Sequence, residues 1–125
     1  RAAMTSPTAR TLAYYRKSGC LAAVTEHWNS FTHRRHDLFE FIDVVVLTPG
    51  SVGVLAVQCT SGSNHAARVS KILGLSAART WLAAGNRIEV VSWRKAKPRG
   101  KRAAWTPRVQ TITWIDMPAA SCGSA

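Results

Sequence analysis

An acidic residue interrupts the most apolar stretch of the sequence. Asp43 stands inside the run FIDVVVL, which covers positions 41–47. A charge in such a strand is costly unless it is paired or bound to a metal ion. We therefore interpret Asp43 as a candidate metal ligand, and a structural salt bridge to one of the many arginines is the alternative.

A second polar group follows in the next apolar segment, at Gln58, Cys59 and Thr60. Strand alternation places Gln58 and Thr60 on one face and Cys59 on the other. A hairpin across the turn at 49–51 brings this segment alongside Asp43. An acid on one strand and a polar pair on its neighbour is a typical ligand arrangement of metal-dependent nucleases, although Gln-x-Thr by itself is also typical of a solvated strand end.

The elements that must position these residues alternate between strand and helix. A helix is predicted from Ser6, as N-cap, and Pro7, at the first helical position, up to Gly19. The other predicted elements are strands over 20–28, 38–48 and 52–60, a helix over 65–84, and strands over 87–93 and 109–115. The segment 20–28 is also compatible with a helix.

Composition limits the class of protein. The chain has 125 residues, of which 46% are apolar, and this predicts one domain over 1–125 with a frayed tail at 117–125. No run approaches the roughly 18 apolar residues that a membrane span needs, and no secretory signal is visible after Arg1. Three cysteines without CxxC spacing favour a reducing compartment, and we expect a cytoplasmic protein.

The net charge of +11 predicts a polyanionic partner. Nucleic acid is favoured over an anionic membrane, because the sequence contains no long helix with one basic and one apolar face. A basic loop is predicted over 94–102. The residues expected to contact phosphates lie around 34, in the second helix and in this loop: Arg34, Arg35, Arg68, Lys95, Lys97, Arg99, Lys101 and Arg102.

The element order and four short runs of sequence resemble the PD-(D/E)XK restriction-endonuclease-like superfamily. These runs are 35–43, 57–61, 68–71 and 92–95. The similarity covers about residues 8–95 and is strongest to small phage and bacterial Holliday-junction-resolvase-like nucleases. The resemblance implies an α/β fold with an α-β-β-β-α-β core, in which helices flank a mixed central sheet and one extra C-terminal strand is allowed for. It also implies a homodimer and a location in a bacterial or phage-infected host cell.

The family's site residues carry over only in part. In the family, a strand Asp and the Glu of ExK bind Mg²⁺, and the Lys activates or orients water. Asp43 matches the first position, Gln58 stands where Glu is usual, and Thr60 stands where Lys is usual. The resemblance implies Mg²⁺ or Mn²⁺ held by Asp43, Gln58 and the Cys59 carbonyl, with Glu26 as an optional ligand.

The resemblance further implies that Lys71, one helix later, replaces the missing catalytic lysine; a phosphate-binding or solvated helix lysine is the alternative. The catalytic set is then Asp43, Gln58, Lys71 and Glu26. The predicted function is a metal-dependent DNA endonuclease, with selectivity for branched DNA as one expectation. Two alternatives remain: a DNA-binding module of the same fold with weakened catalysis, and an unrelated basic RNA-binding domain.

Overall fold

The computed structural model describes residues 6–25, 27–96, 99–100 and 102–118. Its helices are α1 (Pro7–Lys17), α2 (His65–Leu73) and α3 (Ser76–Ala83). Its strands are β1 (Leu21–Val24), β2 (His27–Asn29), β3 (Arg34–His36), β4 (Val44–Leu47), β5 (Leu55–Ser61), β6 (Arg87–Ala96) and β7 (Ala104–Ile112). Short 3-10 turns lie at Gly62–Asn64 and Trp114–Asp116.

Five strands form a mixed sheet in the order β1-β4-β5-β6-β7. β5 and β6 are parallel, and the other neighbouring pairs are antiparallel. The β4–β5 hairpin across Pro49 and Gly50 was predicted. A helical connection after β5 was also predicted, and in the structure it makes β5 and β6 parallel. β2 and β3 form a separate two-stranded hairpin between β1 and β4. The α/β class with helices flanking a mixed sheet is confirmed.

Two apolar clusters cover the two faces of the sheet. α1 packs Tyr15 against Val57, Cys59 and Val91, while α2 and α3 pack Ile72 and Ala78 against the opposite face. Buried polar contacts fix α1 in place: Trp93 Nε1 donates to Thr11 Oγ1 at 3.0 Å, and the Tyr15 hydroxyl donates to Glu89. Burial and the Glu89 contact raise the pKa of Tyr15, so the hydroxyl keeps its proton.

Several predicted boundaries were wrong. The segment 20–28 is divided between β1 and β2 in two different sheets, and 38–48 contributes a strand only from Val44. The helix expected over 65–84 is two helices, because the chain turns at Gly74 and is extended at Leu75 (ψ 127°) before α3 begins. Glycine is a poor helix former, and Leu75 packs against the core, which favours this break.

The C-terminal part also differs from the expectation. Arg94 and Lys95 belong to β6 rather than to a loop, because they pair with Thr106 and Trp105 of β7. The last strand is Ala104–Ile112 instead of 109–115. Met117, expected in a frayed tail, is 7% exposed within the α2–α3 cluster, and 119–125 lie outside the described residues. None of the described helices is long and apolar enough to span a bilayer.

Candidate metal and phosphate site

A tight turn before β4 brings two carboxylates together. Leu38 and Ile42 exchange backbone hydrogen bonds of 3.1 and 2.9 Å, so that the flanking Asp37 and Asp43 lie side by side. Phe39 and Glu40 occupy the left-handed region at φ 52° and 71°. This conformation costs side-chain-bearing residues about 1 kcal/mol or more each. Burial of the residues that follow directly, Phe41 and Ile42, offsets this conformational cost.

Asp43 is 5% exposed and is held by β5. Its backbone N–H donates to the Val57 carbonyl at 2.9 Å, which continues the β4–β5 pairing by one residue. Its Oδ2 accepts hydrogen bonds of 2.8 Å from Gln58 Nε2 and from the Cys59 backbone N–H. Among the described residues, no lysine or arginine forms an ion pair with Asp43, so the salt-bridge alternative finds no support there.

The protonation of Asp43 is set by its surroundings. Burial and the neighbouring Asp37 carboxyl raise the pKa of Asp43 to about 7, while the amide hydrogen bonds from Cys59 and Gln58 lower it. Two carboxyls so close cannot both be charged at low cost unless a cation lies between them. With a pKa of about 7, Asp43 carries a proton in mildly acidic solution, and a cation that bound here would displace that proton.

Gln58 joins the two carboxyls. Its side chain is 2% exposed, and Nε2 lies 2.8 Å from Asp43 Oδ2 and 3.5 Å from Asp37 Oδ2. Its other polar atom, Oε1, is buried without a hydrogen-bond partner. Rotation of the amide about the Cγ–Cδ bond would aim Oε1 at the two carboxyls, where it could bind a cation or accept a hydrogen bond from a protonated Asp43. An orphaned buried oxygen beside two carboxylates is the chemistry of a hard-metal donor set.

Two basic residues of α2 lie near the carboxyl pair, beside a cavity of about 340 Å³ that includes Asp37, Asp43 and Gln58 in its lining. Lys71 Nζ lies 3.9 Å from Asp37 Oδ2, the oxygen that Gln58 also contacts. Arg68 lines the cavity directly, and its Nε is buried without a partner. The cavity lining therefore combines the carboxyl oxygens of Asp37 and Asp43 with the cation of Arg68.

Three further positions of the predicted site are Cys59, Thr60 and Glu26. Cys59 packs its side chain against α1, on the face opposite Gln58, as the alternation predicted. Its N–H points to Asp43, and the carbonyl of a strand residue points to the same side as its N–H, so the Cys59 carbonyl also faces the site. Thr60 is buried in the cavity lining and supplies no charge. Glu26 lies outside the described residues.

The predicted phosphate contacts do not all converge on this cavity. Arg68 does. Arg34 is exposed on the separate β2–β3 hairpin, Lys95 is on β6, and Arg99 and Arg102 are exposed near the β6–β7 turn. Arg35 is in β3, while Lys97 and Lys101 lie outside the described residues. These residues are candidates for backbone contacts away from the carboxyl cluster.

Asp37 is the site residue that sequence reasoning missed. A turn of two left-handed residues without glycine is not expected from propensity, so the strand was extended back through it. The spacing of six residues between two of only six acids was the available signal. Among the described residues, no group of three or more His, Cys, Asp or Glu comes together. A metal ion here would have at most two described carboxylates as ligands, so water, the Gln58 amide oxygen or a main-chain carbonyl would complete its coordination.

Comparison of the chain with protein-family models, curated proteins and solved structures finds no match. A functional assignment accordingly depends on the side chains of this site.

Proposed function

We propose that the protein is a metal-dependent DNA endonuclease of the PD-(D/E)XK type. The observation that carries the proposal is the convergence of Asp37, Asp43 and Gln58 at the ends of two neighbouring strands, beside Lys71. Asp43, Gln58 and Lys71 are residues that the family resemblance implies for catalysis. The family's usual lysine is a threonine here, Thr60. The contact of Lys71 with Asp37 supports the proposal that Lys71 takes the role of that lysine.

The fold supports the same proposal. Apart from the β2–β3 hairpin, the order of elements is α1, β1, β4, β5, α2, β6, which corresponds to the α-β-β-β-α-β core that the resemblance implies. α3 and β7 are additions to this core, and β7 extends the sheet by pairing with β6.

Mg²⁺ or Mn²⁺ would be held by carboxyl oxygens of Asp43 and Asp37, by Gln58 Oε1 and by the Cys59 carbonyl. When bound, such an ion supplies a hydroxide nucleophile at neutral pH and neutralises charge on the scissile phosphate. With a pKa near 7, Asp43 exchanges its proton readily at neutral pH, so the site can be emptied of that proton when a cation enters.

The cations of α2 would act on the phosphate. Lys71 is compact and carries three donors, so it can orient an attacking water or a phosphate oxygen while it stays close to Asp37. The unpartnered Nε of Arg68 would donate to a phosphate oxygen that enters the cavity. DNA is the proposed partner because the chain carries a net charge of +11. A homodimer, branch selectivity and a cytoplasmic location remain parts of the proposal.

A DNA-binding module with weakened catalysis is the second candidate. Gln58 lacks the charge of a glutamate, and its Nε2 already donates to Asp43 at 2.8 Å in the place where a cation would bind. A weaker metal site follows if the amide keeps this orientation. Under this hypothesis, the basic surface binds DNA and the carboxyl pair stabilises the fold.

A supercoiled plasmid assay with Mg²⁺ or Mn²⁺ tests the proposal. Asp43→Asn removes a carboxylate without changing its size, and Glu40→Gln removes an exposed carboxylate from the same turn as the matched control. We expect the wild type and the control to nick the plasmid and Asp43→Asn to be inactive. DNA binding without nicking by the wild type would favour the binding module, and preferential binding of RNA would favour an RNA-binding domain.

A further inference from the structure

A second and larger cavity, of about 700 Å³, lies where β5 ends beside the β6–β7 hairpin. The hairpin register pairs Ser92 with Arg108 and Arg94 with Thr106, so these four residues share one face of the sheet. All four line the cavity, together with Ser61 at the end of β5 and Ser63 in the turn that follows it. The function proposed above uses none of them.

No described acidic residue compensates the positive charge of this cavity. Its described lining contains two arginines and no Asp or Glu. Neither Arg94 nor Arg108 forms an ion pair with a described acidic residue, whereas Lys71, near the other cavity, lies beside Asp37. Guanidinium groups bind phosphate oxygens in a bidentate fork, and two of them converge here with hydroxyl groups. An anion with several oxygens is the ligand that this lining fits.

The floor of the cavity is fixed by a buried hydrogen-bond chain. His65 is 2% exposed; its Nδ1 lies 2.6 Å from Ser92 Oγ, and its Nε2 lies 2.8 Å from Gln110 Oε1. The chain ties α2 to β6 and β7 and fixes the position of the Ser92 hydroxyl. Gly62 supplies a close approach on the other side, since a Cβ there would lie 3.1 Å from Arg94 Cβ. The arginines therefore project from a rigid support.

Ser61 lines both cavities, so the two are neighbours along the end of β5. We propose that the second cavity binds a phosphate group of a nucleic-acid strand, next to the scissile phosphate that the proposed nuclease would hold near Asp43 and Gln58. The assignment of the phosphate to a nucleic acid rests on the proposed function. Phosphate binding itself does not, because it requires neither a metal ion nor the carboxyl pair. The phosphate is either a backbone diester or a terminal monoester.

The test is DNA binding in EDTA, where no cleavage occurs, by the variant R94Q/R108Q. R16Q/K17Q is the control, since it removes the same charge at the end of α1 away from both cavities. We expect the double variant to lose at least about tenfold in affinity and to flatten the slope of log affinity against log salt by about 0.9, the value for one phosphate. R94K/R108K should recover only part of the affinity, because lysine lacks the fork.

Oligonucleotides with one neutral methylphosphonate, moved along the backbone, locate the phosphate. A diester in the cavity predicts one position at which the wild type loses affinity and R94Q/R108Q does not. A monoester predicts instead that removal of the 5′-phosphate weakens the wild type alone. Two results would overturn the inference. One is that R94Q/R108Q and R16Q/K17Q show the same DNA affinity and salt slope. The other is that every phosphate change alters the affinity of the wild type and of R94Q/R108Q equally.

The two proposals fail separately. If the wild type shows this binding pattern but does not nick a plasmid, the phosphate cavity stands and the nuclease is wrong. If it nicks a plasmid while R94Q/R108Q binds DNA as the control does, the nuclease stands and the phosphate cavity is wrong. Circular dichroism of R94Q/R108Q checks that the fold is intact, which we expect because both arginines are exposed.

Discussion

Lys71 Nζ lies 3.9 Å from Asp37 Oδ2, which joins α2 to the turn before β4. The same oxygen lies 3.5 Å from Gln58 Nε2. Asp37 Oδ2 therefore lies between the ammonium group of Lys71 and the side-chain amide of Gln58, which contacts Asp43. This relationship gives Lys71 a defined place beside the carboxyl pair.

Replacement of Lys71 by Met keeps most of the stem and removes the charge. We expect plasmid cleavage to fall by orders of magnitude, while DNA affinity falls by less than about tenfold, or roughly 1.4 kcal/mol. Single-turnover cleavage and fluorescence anisotropy measure the two quantities. Lys17→Met, at the end of α1, is the control and should change neither. Equal losses of binding and cleavage would make Lys71 a phosphate anchor instead.

Replacement of Gln58 by Glu restores the charge that the family motif has at this position. Without metal, a third buried carboxyl beside Asp37 and Asp43 should lower the melting temperature at pH 8. With Mn²⁺, affinity for the ion should rise by about tenfold or more, and the melting temperature should recover. Calorimetric titration and thermal melts report these effects, with Ser70→Glu on the exposed side of α2 as the charge-matched control. Unchanged Mn²⁺ affinity would exclude Gln58 as a ligand.

The raised pKa of Asp43 makes stability depend on pH. Its ordinary value is 3.8 and its value in the fold is about 7, so between these pH values the folded state binds more protons than the unfolded state. The contribution is fully present below pH 3.8 and is lost as pH rises through 7, with a slope of at most about 1.4 kcal/mol per pH unit.

Urea denaturation of the wild type and of Asp43→Asn across this range isolates the effect, since Asn cannot titrate. The wild type should lose stability relative to Asp43→Asn as the pH rises. Saturating Mn²⁺ should abolish the difference in slope, because a bound cation replaces the proton. Parallel pH profiles for the two proteins in EDTA would mean that Asp43 titrates near its ordinary value.

The turn between β6 and β7 provides a test of nonspecific DNA binding. Arg99 and Arg102 are exposed there. Their replacement by Gln should weaken DNA binding about equally for all sequences and flatten the salt slope by up to about 0.9 for each phosphate that these arginines neutralise. R16Q/K17Q again serves as the control. A salt slope identical to that of the wild type would show that this turn is only solvated.

Local patterns were sufficient for part of the fold. Ser6 caps α1 by accepting a hydrogen bond from the Ala9 N–H at 3.1 Å, as the Ser-Pro sequence predicted. The apolar run ending at Leu47 and the Pro49–Gly50 turn were enough to predict the β4–β5 hairpin. The period of two in β5 correctly separated Gln58 from Cys59. These features depend on neighbours within a few residues, which a sequence displays directly.

Features that depend on distant contacts could not be predicted. The turn that folds Asp37 back onto Asp43 requires two left-handed residues and has no glycine to signal it. Lys95 was expected in a loop, yet it pairs with Trp105 in the β6–β7 hairpin. Trp105 has the guanidinium of Arg10 3.7 Å from its ring centroid, which covers one face of the ring. The pairing of Lys95 and the cover on Trp105 depend on partners distant in sequence, whereas the turn depends on a backbone conformation that its residue types do not favour.

Strand β5 contributes side chains to both faces of the sheet. Val57 and Cys59 face α1, and Gln58 faces the carboxyl pair of Asp37 and Asp43. A slip of one residue in its pairing would exchange these sets, placing an amide in the apolar cluster of Tyr15 and a thiol beside Asp43. Misregistered chains would thus lose the core and the site together. Assembly of the carboxyl cluster is consequently a reporter of global folding, and a metal-sensitive signal from it should appear in refolding experiments at the same rate as native tryptophan fluorescence.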